Sequence, residues 1–261
     1  MASDIHITIA PETIFQIGSF DVTNAMLGSI VVCTGLCLAG IFIGATLKKT
    51  GKPNKIQNAI EWFYALIEGT TSDSIGSLKK ARPYLGLVLT LFLYIVFGSW
   101  LGLIPGILHI GLQVTPDILY PLFRAPTTDL NATIALAAIA WLTIEYAGFS
   151  SQGFSYLGKF FQFKGGLMNF FVGIQELISE FARLISFSFR LFGNVFAGEV
   201  LIVVVLALTK FQTNVTWLDY VGVPLPAAII LMEVLVAMMQ AYVFVSLMSV
   251  FIALATEPAH H

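Results

Sequence analysis

Apolar residues run almost unbroken through three stretches of the chain: Asn24 to Leu47, Tyr84 to Pro105, and Asp129 to Phe149. Each is close to the ~20 residues that an α-helix needs to cross a ~30 Å hydrocarbon core. The pattern predicts three upright transmembrane helices. Between the first two lies IQNAIEWFYALIEG at 56–69, short and mixed, which predicts a helix lying at the membrane interface. The segment 106–128 is interrupted by proline and glycine and predicts an irregular outer loop.

The last third has a different rhythm. From Gly166 to Thr209 the only breakers are scattered glycines. As one helix this range is ~66 Å long, about twice the hydrocarbon thickness. It is therefore either broken or steeply tilted. A second long run, Pro224 to Ala255, opens on Pro224 and Pro226, where a helix N-terminus tolerates proline. With Gln212 to Gly222 as the turn, the two runs predict a strongly tilted antiparallel hairpin. The expected fold is an all-α polytopic membrane protein, a single membrane domain over 1–261, with 1–23 as an outer polar tail.

Composition strengthens this picture. The chain is 57% hydrophobic and 11% charged, and its mean hydropathy is +0.86. A soluble domain is nearer a quarter charged. The net charge of -2 says little, but the location of the charges says more. Lys48, Lys49, Lys52, Lys55, Lys79, Lys80 and Arg82 fall between the first two spans, and Lys159 and Lys164 precede the hairpin. The alternate loops hold only Arg124 and Lys210. The positive-inside rule puts the N-terminus outside, the C-terminus in the cytoplasm and the hairpin turn on the outer side. The N-terminus has no basic region of a signal peptide. Cys33 and Cys37 lie four apart in an apolar helix and read as packing residues, without partners for a disulfide or a metal.

Against that background the ionisable residues of the hairpin stand out, because a charge at mid-membrane is costly. They are Glu176, Glu180, Arg183, Arg190, Glu199 and Glu233. At 100° per residue, Glu176, Arg183 and Arg190 form one stripe, continued by Asn194. Glu199 projects from the opposite side of the helix to Arg190. Glu233 and Gln240, seven apart, share a face of the returning helix. In an antiparallel hairpin turning near 215–216, Glu199 is level with Glu233 and Arg190 with Gln240. From outside inward the order is a carboxylate pair, an Arg/Gln level, then Glu176 and Glu180.

Carboxylates exchange protons and can line a relay. Arginine stays charged and is a barrier to protons and an attractor for another carboxylate. Structural readings stand beside these. Arg183 can pair with Glu180 or Glu176 near the cytoplasmic interface, Arg190 can form a structural salt bridge, and Glu199 and Glu233 can be a structural pair sharing one proton. Other chemistries lack their residues. There is no zinc-binding H-E-x-x-H or glycine-rich phosphate loop. The four histidines, His6, His109, His260 and His261, are remote in sequence from Ser186 and Ser188. Arginines do not recur every third residue, which disfavours a voltage sensor. A secondary transporter with intramembrane carboxylates is the main alternative, but inverted repeats are not visible. An assembly scaffold with buried ion pairs is a third reading.

At SFSFRLFGNVFAGE (186–199), followed by QAYVF (240–244), the chain resembles subunit a of the F-type ATP synthase. Weaker likenesses lie in PNKIQNAIEWFYALIEG, RPYLGLVLTLFLYIVFGSWLGLIPG and APTTDLNAT, so that nearly everything from residue 20 onward is covered. The resemblance implies a non-catalytic stator subunit that offers two offset ion half-channels to a rotor ring of c subunits. Arg190 corresponds to the motif arginine facing the rotor carboxylate. Asn194, Glu199, Glu233 and Gln240 then belong to the outer half-channel. Glu176, Glu180 and Ser179 belong to the inner one, with Arg183 and Ser186 as accessory residues. Family members often carry histidine at one of the Glu199 and Glu233 sites, whereas both are Glu here. The implied partners are the c-ring, peripheral-stalk b subunits, the remaining F-type complex and the bilayer, with no cofactor, metal or nucleic acid. The motif is more like bacterial and plastid members than mitochondrial ones, which implies a bacterial inner membrane.

Overall fold

The computed structural model describes residues 11–47, 54–104, 111–115, 118–159, 167–211 and 224–257. The periodicity of the sequence is realised as six long helices: α1 (Asn24–Thr46), α2 (Lys55–Ile75), α3 (Leu78–Leu103), α4 (Leu130–Gln152), α5 (Leu167–Phe211) and α6 (Pro224–Thr256). Among the described residues, five stretches are long and apolar enough to span a membrane, and of the six helices α2 alone falls outside them. This is an all-helical polytopic membrane protein. Its large apolar side chains lie outward on a scale no soluble surface carries: Ile41, Phe42, Leu142 and Leu231 are all exposed.

The helix ends follow local chemistry. Thr23 caps α1, its Oγ1 accepting from the Met26 backbone N–H at 3.3 Å. Asp129 caps α4 in the same way through the Asn131 N–H at 2.9 Å. It therefore precedes the third span rather than opening it. The second span begins at Leu78, not Tyr84, because backbone hydrogen bonding continues through Lys79, Lys80 and Arg82 beyond the apolar run. Helix α2 is also longer than the mixed stretch 56–69, running to Ile75 with Gly76 in the left-handed region (φ 79°) as its stop.

One expectation is corrected and one segment gains detail. Within the tail, β1 (Thr13–Ile17) and β2 (Phe20–Thr23) form an antiparallel hairpin. The proline- and glycine-containing segment 106–128, expected to be irregular, holds β3 (Gly111–Thr115) paired with β4 (Ile118–Pro121), then a 3-10 turn at Pro126–Thr128. Hairpins satisfy their backbone groups locally, so short ones form between spans without any strong apolar alternation to announce them. The long helix is unbroken: α5 runs for 45 residues. The expected turn at 212–222 lies outside the described residues.

The chain divides into two compact units. One comprises Met1–Thr46, Leu93–Thr133 and Leu191–Ala241. Within it the Tyr94 hydroxyl meets the Ser29 hydroxyl at 3.0 Å and the Trp100 indole N–H donates to the Val234 carbonyl at 3.3 Å. The other comprises Leu47–Phe92, Ile134–Arg190 and Tyr242–His261. Its core includes Phe187 against Phe244 and Phe251, at centroid separations of 5.0 and 5.9 Å. The Gln152 amide there also ties α4 to the end of α6 through the Ala255 and Glu257 carbonyls.

Candidate functional site

In the first unit, the site is built on close backbone approach. The connection before α4 lies tightly on α1: a Cβ added to Gly28 would collide with the carbonyl oxygen of Arg124. Only glycine permits this seat. Thr127 Oγ1 and Ser99 Oγ, 3.1 Å apart, join the same connection to α3. Arg124 is thereby buried, and its Nη2 donates to Glu199 Oε2 at 3.2 Å, forming an ion pair whose side chains are 7% and 29% exposed. The sequence had marked Arg124 only as an isolated basic residue of an outer loop. Its pairing depends on the tertiary path of residues 122–125, which periodicity does not encode.

Opposite Glu199, Glu233 on α6 is buried, at 8% exposure. It sits where α5 offers no side chain: a Cβ at Gly198 would overlap both carboxylate oxygens. Glu233 has no hydrogen bond or ion pair among the described residues. The two glutamates line a cavity of about 50 Å³ together with Ser99, Thr128 and Gln240. That is room for roughly three water centres. Nearby, Asn194 Nδ2 donates to Gln240 Oε1 at 2.6 Å, while Gln240 Nε2 is buried without a partner.

Helix α5 thus meets α6 at two places, Gly198 against Glu233 and Asn194 against Gln240. The partner of Gln240 is Asn194, one helical turn beyond Arg190. Glu199 pairs with Arg124 and makes no hydrogen bond with Glu233, so the two carboxylates are near one cavity but not joined by a shared proton.

The second unit holds the remaining predicted residues. Glu180 is 2% exposed, and both its oxygens accept from Arg183 Nη1 at 2.9 Å. Arg183 also lies over the Phe251 ring, 4.4 Å from its centroid. Of the two partners considered for Arg183, Glu180 is therefore the one engaged. Buried Tyr156 hydrogen-bonds Glu145 close to this pair. Both were missed in the sequence, since they lie on a different span and a following 3-10 turn. Arg190 differs from Arg124 and Arg183. It is exposed, its Nη2 reaches Ser186 Oγ at 3.4 Å, and it pairs with no carboxylate among the described residues. Glu176 is half-buried and Ser179 exposed.

Among the described residues no group of three His, Cys, Asp or Glu is placed to hold a metal ion. The class defined here is a helical polytopic membrane protein with carboxylates, amides and arginines set into its spanning helices. Comparison then narrows it: residues 26–253 match the family described as ATP synthase A chain. ATP synthase subunit a of Geobacter sulfurreducens is 33% identical over 228 residues, 86% of this chain and 85% of that one. The Desulfotalea psychrophila protein of the same description is 35% identical over 211 residues, covering 80% and 75%. That of Campylobacter jejuni strain 81116 is 33% identical over 207 residues, 78% of each. The chain belongs to the ATP synthase A chain family.

Proposed function

We propose that this chain is the stator subunit of the proton-translocating sector of a bacterial F-type ATP synthase, in the inner membrane with its N-terminus outside. Ions enter from the outer side through a half-channel containing Asn194, Glu199, Glu233 and Gln240. They neutralise a carboxylate on a rotor ring of c subunits, which turns through the lipid. The ion leaves to the cytoplasm through an inner half-channel containing Glu176 and Glu180, with Ser179, Arg183 and Ser186 as accessory residues. The ionised rotor carboxylate then passes Arg190. Stalk b subunits hold the stator in place. Each charge that crosses 100 mV supplies ~2.3 kcal/mol, and the chain itself makes and breaks no covalent bond.

One observation carries the reading. Among the described residues, Arg124 and Arg183 of the two sites have carboxylate partners within the chain, and Arg190 has none. An unpaired guanidinium in a spanning helix calls for a carboxylate from elsewhere. A rotor ring supplies one at each step.

The length of α5 supports the geometry of that interface. Forty-five residues make ~68 Å of helix, so α5 with α6 is read as a strongly tilted hairpin beside three upright spans and an interfacial α2. Neighbouring exposed residues on α5, such as Phe189, then face the ring. The test is cysteine cross-linking from position 189 in the assembled complex. Disulfides to the carboxylate-bearing helix of a small two-helix subunit are expected. Adducts to this chain's own helices alone, with no ring co-purifying, would reject the proposal.

A further inference from the structure

Helix α6 touches α5 at two places that lie on one stripe. Glu233 fills the notch left by Gly198, and Gln240 accepts from Asn194 Nδ2 at 2.6 Å. Seven residues apart, Glu233 and Gln240 differ by only about 20° around the helix. Two contacts on one stripe set the level and spacing of two helices but leave α6 able to roll about that line. A third contact lies off the stripe. The half-buried Trp100 of α3 donates its indole N–H to the Val234 carbonyl at 3.3 Å, about 100° round from Glu233. A helix carbonyl has a second lone pair for such a donor. The Trp100 ring is met edge-on by Phe97, with 5.6 Å between centroids. Helix α3 is itself fixed here, through Ser99 against Thr127 at 3.1 Å and Gly102 against Ala125. Trp100 does not line the cavity, whereas its neighbour Ser99 does.

We infer that Trp100 is a positioning residue for the outer half-channel: its indole N–H, bonded to the Val234 carbonyl, fixes the roll of α6 that sets Glu233 into the Gly198 notch. The inference rests on the outer half-channel of the proposed function, in which Trp100 itself touches no ion. A roll of α6 would carry the Glu233 carboxylate away from Gly198, where α5 projects no side chain, toward Ala197 or Glu199, which project one. Tryptophan suits the task. Its ring is large and rigid and turns about two side-chain bonds only, so the N–H is held in place at little entropic cost. One ordinary hydrogen bond favours the bonded roll by about fivefold.

The experiment uses assembled complex in vesicles and reads passive proton flux per assembled complex, with the amount of complex measured separately. Trp100→Phe keeps a ring and loses the donor. Trp100→Gln loses the ring and keeps an amide N–H as many bonds from Cβ as the indole N–H is. Trp100→Phe is expected to assemble in parental amount and to lose about fivefold in flux per complex. Trp100→Gln is expected to keep roughly threefold more flux per complex than Trp100→Phe, on the same hydrogen-bond scale. A packing role would give the reverse order, because phenylalanine fills the space better than glutamine does. The roll is read directly by a water-soluble maleimide added from outside to Ala237→Cys, in the cavity wall, with Cys33→Ala and Cys37→Ala as background. Trp100→Phe is expected to change that labelling rate by roughly threefold or more, again on the scale of one hydrogen bond. Parental flux per complex in Trp100→Phe, an unchanged labelling rate, or a Trp100→Gln no better than Trp100→Phe would each overturn the inference. Failure of both variants to assemble would overturn it too, since Trp100 would then be a packing residue. If Trp100→Phe is silent while Gln240→Leu lowers flux, the inference falls and the half-channel stands. If neither alters flux, the half-channel itself is wrong.

Discussion

Replacing Gly198 by Ala adds one methyl group where α5 faces Glu233. The new Cβ would lie 2.6 Å from Glu233 Oε1, and nearer still to its other oxygen, where ordinary contact begins at 3.4 Å. The carboxylate must therefore retreat by at least about 0.8 Å, and the way open to it is into the cavity. Overpacking of this kind costs about 1–3 kcal/mol. By the tenfold-per-1.4 kcal/mol rule this is roughly a 5- to 150-fold loss in occupancy of the original carboxylate position. Helix α5 itself is not weakened, because alanine is a better helix former than glycine by ~1 kcal/mol. Gly198→Ala is therefore expected to assemble normally while proton flux and ATP synthesis in vesicles drop at least fivefold. Shortening the acid as well, in Gly198→Ala with Glu233→Asp, should recover part of the flux. Parental flux in fully assembled Gly198→Ala would refute the reasoning, because the carboxylate would then not need its present position.

Three other outcomes are expected. Gly28→Ala should lower the amount of assembled subunit, quantified by immunoblot of membranes, because the added Cβ meets backbone at Arg124 rather than a flexible side chain; the scale is about 1–3 kcal/mol. Arg183→Ala should destabilise the complex to detergent and heat by up to about 3–5 kcal/mol, the scale for breaking a buried ion pair, here that of Glu180. Arg183→Lys should fall between Ala and the parent, since lysine keeps the charge but not the planar fork. Cys33→Ala with Cys37→Ala should leave assembly and ATP synthesis unchanged, as both thiols are free and exposed on α1.

The spanning helices were legible in the sequence because the bilayer imposes a length and a polarity that local composition records. Asn24–Thr46 and Pro224–Thr256 match their expected limits within a residue. Glu233 meets α5 at Gly198, one residue from the Glu199 level that the sequence suggested. What the sequence did not reveal depends on chain path. Arg124 reaches Glu199 across 75 residues because a glycine on a third element lets a loop backbone approach. Tyr156 and Glu145 join the Glu180 and Arg183 cluster from a separate span. No periodicity links such positions. The β-hairpins were missed for a simpler reason: four- and five-residue strands leave little pattern beside long apolar helices.

The central claim is that Arg190 is a fixed charge serving a partner's carboxylate and separating two ion paths. Its most direct measurement is ATP synthesis and passive proton flux in vesicles carrying assembled complex with Arg190→Ala. The substitution removes no ion pair within the chain among the described residues, so the complex should assemble. Coupled synthesis should be lost, while passive flux through the isolated membrane sector persists or rises because the barrier is gone. Near-normal synthesis with alanine at 190 would contradict the account, and so would failure of the complex to assemble, which would make Arg190 a structural ion-pair residue.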